Sequence, residues 1–153
     1  MQKFSLSKGF TLIELLVVIA ILGILAAVVL IAINPAERIK ESQDTQVRSD
    51  MSTLASAIED CFTGEATGTY ANCNTVAKLV AGNYLKSTPK TAPQPTTFDP
   101  NSAGTEVIFS AELAAASAKT KAGCVGTEKA YYTYNTTDGS SKVVCSATAP
   151  LLP

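Results

Sequence analysis

The sequence predicts an α+β chain: a long N-terminal helix, first membrane-spanning and then amphipathic, packed against a small antiparallel β-sheet head. Three observations predict it. Residues 10–33 form a 24-residue block in which 21 residues are apolar, the exceptions being Thr11, Glu14 and Gly23. Apolar residues then recur every three or four positions through Val47, Met51, Leu54, Ile58 and Cys61/Phe62. The last third alternates apolar with polar residues between turn signals. At 153 residues the chain has room for one small domain besides the apolar block.

Composition removes several functions. Twelve Lys+Arg stand against 13 Asp+Glu with no broad basic cluster, so no specific nucleic-acid binding is predicted. The chain contains no His, which excludes a Ser-His-Asp or Cys-His nucleophile and any imidazole-based metal site. No enzyme chemistry, cofactor or metal is expected; Asp99 and Asp138 lie too far apart in sequence to make a case for calcium.

The apolar block is long enough to span a bilayer, since 24 residues at about 1.5 Å each give roughly 36 Å. It exceeds the usual apolar run of a secretory signal, and no small-x-small cleavage site follows it at Ile33-Asn34-Pro35. Glu14 is its most informative residue. An acid within a spanning helix is costly and calls for a partner, and nothing basic lies within a helical turn of it in the block. The partner is then another protein or a charge made by processing. Cleavage after Gly9 would create such a charge, the α-amino group of Phe10, four residues from Glu14 on one helix face.

The run Lys8-Gly9-Phe10-Thr11-Leu12-Ile13-Glu14-Leu15-Leu16-Val17-Val18 resembles the processing site of type IV pilins and the related type II secretion pseudopilins. The resemblance is strong from Lys8 to about Pro35, and beyond that only the layout agrees. It implies a leader, residues 1–9, cut by a prepilin peptidase between Gly9 and Phe10, with N-methylation of Phe10. It implies that Phe10 and Glu14 pair between neighbouring subunits of a homo-oligomeric helical filament. A platform protein, and through it an assembly ATPase, are the further partners implied. The start of the chain would face the cytoplasm. The head would stand outside the cytoplasmic membrane and end on a cell-surface filament. Charge counting does not choose an orientation, because Lys3 and Lys8 face Arg38, Lys40 and Arg48 across the block. A DNA-uptake or secretion pseudopilin, and a monomeric membrane-tethered binding domain, are the alternatives.

The segments read as a filament-core helix over 10–34, an amphipathic helix over 35–62 and a head over 63–153. Gly23 and Pro35 are the expected helix-breaking positions, Gly through backbone freedom and Pro by removing a donor and crowding the Ile31 carbonyl. The polar face of the amphipathic helix includes Glu41, Asp44, Arg48, Asp50 and Glu59 and reads as solvated. A short helix follows over 75–81, stopped by Gly82. Four prolines between 87 and 105 predict an irregular loop. Residues 107–113 read as a half-buried strand, and 130–134 with 142–147 as a hairpin around Asp138-Gly139. Tyr131, Tyr132 and Tyr134 read as packing rather than as a stacking surface. The Asn135-Thr136-Thr137 sequon is a match that chance produces too often to carry weight.

Cys61, Cys73, Cys124 and Cys145 make an even set without a C-x-x-C pair, which fits two disulfides in an oxidising compartment. Three connectivities are open. The sequential one, Cys61–Cys73 and Cys124–Cys145, closes the shortest loops, each worth about 3 kcal/mol on the loop-entropy model.

Overall fold

The computed structural model describes residues 9–89 and 96–152. In order these form α1 (Leu12–Ile33), α2 (Pro35–Gly64), α3 (Val76–Ala81), β1 (Thr97–Pro100), β2 (Val107–Leu113), α4 (Ala116–Ala122), β3 (Lys129–Asn135) and β4 (Ser140–Ser146). The chain divides into two compact units between Ala36 and Glu37.

The first unit is a helix with no core of its own. α1 buries none of its residues, because leucine, isoleucine, valine and alanine occupy every side of it and no polar face exists to turn outward. Its 22 residues span about 33 Å, the thickness of a bilayer's hydrocarbon region. The helix runs through Gly23 without interruption, contrary to the break expected there. The interruption comes at Asn34, whose left-handed backbone (φ 45°) ends α1, a conformation Asn tolerates better than most residues. Pro35 opens α2, where its missing N–H costs nothing.

The second unit is a four-stranded antiparallel meander in the order β1-β2-β3-β4 with α2 packed on one face. The predicted stripe of α2 is its buried face: Val47, Met51, Leu54, Ala57, Ile58 and Cys61 are all at most 3% exposed. They meet Val107, Phe109, Ala111 and Leu113 of β2, with Phe109 stacked on Phe98 at 5.5 Å and tilted against Tyr134 at 5.0 Å. Tyr131 and Tyr134 are buried, as packing requires.

Three features differ from the sequence reading. The proline-rich stretch is not wholly irregular: Thr97–Pro100 pairs with β2, from Thr97 opposite Ser110 to Pro100 opposite Val107. Proline is accommodated because β1 is the sheet edge and Pro100 its last residue; residues 90–95 of that stretch lie outside the described residues. β2 is buried on both faces rather than one, with Ser110 as inaccessible as its neighbours and Ile108 buried beside it. The tail after β4 reaches the β1 edge, where the Leu152 N–H donates to Asp99 Oδ2 at 2.7 Å. Asp99 is the register partner of Ile108, so this contact ties the tail to the edge strand beside β2. The third feature is α4, which no apolar periodicity announced.

The turns follow their residues. Asn101 Oδ1 accepts the N–H groups of Thr105 and Glu106 between β1 and β2. Between β3 and β4, Asp138 accepts the Ser140 N–H, and Gly139 supplies the positive φ of 63°. Cys61 is bonded to Cys73 and Cys124 to Cys145, spanning 12 and 21 residues. The first bridge fastens the end of α2 to the loop before α3, and the second fastens the end of α4 to β4.

Candidate functional site

The residues singled out in the sequence meet at the start of α1. Gly9 and Phe10 precede the helix outside regular structure, Phe10 is 83% exposed, and Thr11 is the N-cap in extended conformation. Phe10, Ile13, Glu14, Val17 and Val18 line one shallow groove on the stem, so Phe10 and Glu14 share a face, as their spacing requires.

Glu14 is not alone there. Its Oε2 accepts the Thr11 backbone N–H at 2.8 Å and the Thr11 hydroxyl at 2.7 Å. Thr11 Oγ1 in turn accepts the Glu14 N–H at 3.3 Å. This reciprocal pair is a capping box, which satisfies two backbone donors that a helix start leaves unmatched. The sequence reading looked for a basic partner and missed this local one, although Thr11-Leu12-Ile13-Glu14 carries the T-x-x-E spacing that announces it. Both of these bonds fall on Oε2; among the described residues none reaches Oε1.

A second polar arrangement sits where α2 meets α4. Asp44, assigned to the solvated face from its polarity, is only 5% exposed. Its two oxygens accept the N–H groups of Ala114 (2.6 Å) and Ala115 (3.1 Å). Glu37 Oε1 accepts those of Ala116 and Ser117. The helix needs these acceptors because Ala115, its N-cap residue, has no side chain that can cap. Two carboxylates at the helix start also match its dipole. Register would have identified Asp44, which stands three residues before Val47 and seven before Met51, on the core stripe.

Glu59, also read as solvated, accepts the phenol of Tyr134 at 3.0 Å and lies 3.4 Å from that of Tyr70. Burial, and then the Glu59 carboxylate, push the Tyr134 phenol up to about 12 and raise that of Tyr70. At the other end of α2, the Ser117 hydroxyl and the Arg38 guanidinium beside Glu41 hold its carboxyl below the usual range. Cys61, Glu65 and Cys73 lie close together, but both sulfurs are in a disulfide and neither is a thiolate able to ligate.

The site is thus an exposed apolar stem with a capped acid at its start, joined in sequence to a disulfide-bonded head. The family described as the prokaryotic N-terminal methylation motif matches residues 5–30. A type IV major fimbrial protein FimA of Dichelobacter nodosus is 42% identical over 90 residues, covering 58% of this chain and 56% of the relative. A second such FimA is 51% identical over 59 residues, 38% and 36% of the two chains. The type IV major alpha-pilin of Moraxella bovis is 48% identical over 52 residues, 34% and 31% of the two. The matches span from about a third to just over half of the relatives' lengths. No solved structure is a significant match. These findings support a type IV pilin, the family that the residues from Lys8 to Val18 resemble.

Proposed function

We propose that this chain is a structural subunit of an extracellular type IV pilus filament. It is made as a membrane-anchored prepilin, cleaved after Gly9 by a prepilin peptidase, N-methylated on Phe10 and assembled through α1. The observation that carries the reading is the capped acid at the head of a helix that is apolar on every side, within the matched methylation motif.

The physics of assembly follows from that pairing. α1 has nowhere to be but in lipid or among other stems, because its whole surface is apolar. Before cleavage the Thr11 cap lowers the cost of carrying Glu14 into the membrane. After cleavage Phe10 carries an ammonium, and Glu14 of a neighbour is the group that can neutralise it. In a water-excluding bundle an unpaired carboxylate is strongly destabilising and a paired one costs far less. A stem seated at the wrong height leaves both charges unmatched, so the pair sets register. The head forms the fibre surface, and its disulfides suit an oxidising exterior. A platform protein in the membrane and an ATPase acting through it drive the insertion. The fimbrial names of the relatives favour a pilin over a secretion or DNA-uptake pseudopilin.

Replacing the acid tests this. Glu14→Val should abolish or sharply reduce fibres sheared from cells while the thermal unfolding of the head is unchanged. Normal fibres from that variant would remove the register mechanism, whereas absence of fibres from the wild-type chain would favour a tethered, non-polymerising domain.

A further inference from the structure

α2 carries a polar ridge beside its buried stripe. Arg38, Glu41, Thr45, Arg48, Ser52, Ser56 and Glu59 follow one another at intervals of three or four residues, so they run along one side of the helix. Charge along α2 is not evenly spread: its first half carries the acids Glu37, Glu41 and Asp44 beside its cations, and its second half carries acids alone. The three cations of α2, Arg38, Lys40 and Arg48, all fall in its first half. Its second half holds Asp50, Glu59 and Asp60 and no cation.

Each end of the ridge is a groove. The first, about 320 Å³, lies between α2 and α4 and carries Arg38, Arg48 and Lys121. Its acids are already engaged: Asp44 holds two backbone amides and Glu41 pairs with Arg38 at 2.7 Å. Arg48 is held with its guanidinium 5.0 Å over the Tyr132 ring. Lys121 is exposed; its charge acts on Glu41 through space, but it makes no ion pair among the described residues. The second groove, about 410 Å³, lies between α2 and the β3–β4 hairpin and presents Glu59 and Asp60 among the hydroxyls of Ser52, Ser56, Tyr134 and Ser141, with no cation in its lining. Asp60 is exposed and makes no ion pair among the described residues.

We infer that these two grooves are the halves of one contact between copies of this chain, the cationic groove of one subunit receiving the Glu59–Asp60 shoulder of the next. The contact rests on the filament reading, which makes every subunit enter in the same orientation from one membrane. Two identical ridges in that common orientation match charge only when staggered along the helix. The interval from Arg48 to Glu59 is 11 residues and from Arg38 to Asp60 is 22, which sets a stagger on the order of 15–35 Å. Such a contact is heterologous and leaves one groove open on each terminal subunit, so it propagates instead of closing. It is additional to the stem pairing at Phe10 and Glu14, because all its residues belong to the second unit.

The test uses the full chain in cells that assemble it. Lys121→Glu and Asp60→Lys should each lower the yield of sheared fibres about fivefold, since each sets like charges against one another in a repeated contact. The double variant should return to within about twofold of wild type. Both positions are exposed, and an unchanged unfolding midpoint in detergent verifies that the heads are intact. Zero-length carbodiimide treatment of wild-type fibres should join Lys121 of one copy to Asp60 or Glu59 of another, and should not do so in detergent-dispersed subunits. Full yields from both single variants, or failure of the double variant to recover, would overturn the contact while leaving the filament reading in place. So would a Lys121→Glu variant that only loses flotation with anionic phospholipid vesicles, which would assign the groove to lipid headgroups. Absence of fibres from the wild-type chain would overturn both readings together.

Discussion

Replacing Asp44 with alanine tests the account of how the head is held together. The carboxylate is 5% exposed and accepts two backbone N–H groups, from Ala114 at 2.6 Å and Ala115 at 3.1 Å. Hydrogen bonds to a charged group contribute about 1.5–3 kcal/mol each, and an amide left buried without an acceptor carries its own desolvation cost. Against this, alanine gains about 0.5 kcal/mol of helix propensity, and water can reach the half-buried Ala114 end. The net expectation is a loss of about 3 kcal/mol for Asp44→Ala. For Asp44→Asn it is about 2 kcal/mol, because the amide offers one acceptor and turns an NH2 toward the other N–H. For a head of this size each kcal/mol corresponds to about 4 °C. Thermal unfolding of the full chain in detergent, disulfides intact and followed by tyrosine near-ultraviolet dichroism, should therefore show a fall of about 12 °C for Asp44→Ala. A midpoint within about 2 °C of wild type would refute the reasoning and return Asp44 to the solvated face.

Other substitutions probe separate parts of the fold. The Tyr134 phenol titrates near 12 rather than near 10 because burial and Glu59 oppose its ionisation. A raised folded-state value means the stabilisation is complete below pH 10 and lost as pH climbs toward 12. One side of the ring borders the Glu59 groove, so we discount the loss to about 1–2 kcal/mol; alkaline unfolding of Tyr134→Phe should lack this component. A Cβ on Gly82 would stand 2.8 Å from the Tyr84 ring, so Gly82→Ala should cost about 1–2 kcal/mol. Adding it to Tyr84→Ala should cost much less, which urea unfolding of the pair can measure. Ser110 buries a hydroxyl that has no hydrogen-bond partner among the described residues, so Ser110→Ala should be neutral or stabilise by up to about 1 kcal/mol in the same assay.

Much of this was legible because the signals were local and periodic. The apolar block of α1, the three-four stripe from Val47 to Cys61 and the Asp138-Gly139 turn each state their structure in adjacent residues. What sequence reasoning misassigned depended on partners far away in the chain. Asp44 and Glu59 are acids on a helix, and polarity alone sends them to solvent. They are drawn inward by amides 70 residues on and by a phenol 75 residues on, contacts that no local pattern contains. α4 is seven residues of alanine, lysine, serine and threonine whose cap is donated by α2, so neither periodicity nor an N-cap residue marks it. β1 was hidden by Pro100 and the prolines that precede it, which exclude a central strand but not a four-residue edge. At the candidate site the reverse holds: the Thr11–Glu14 capping box is entirely local, stated by the T-x-x-E spacing, and a reading that asks only for an opposite charge passes over it.

The central claim is that this chain is processed as a prepilin, and the N-terminus of the protein from native membranes or sheared surface material tests it most directly. Mass spectrometry should find a mature chain that begins at Phe10 and carries one methyl group on its α-amine. An intact Met1, or a start beyond Ala26, would contradict the account and leave Glu14 needing another explanation.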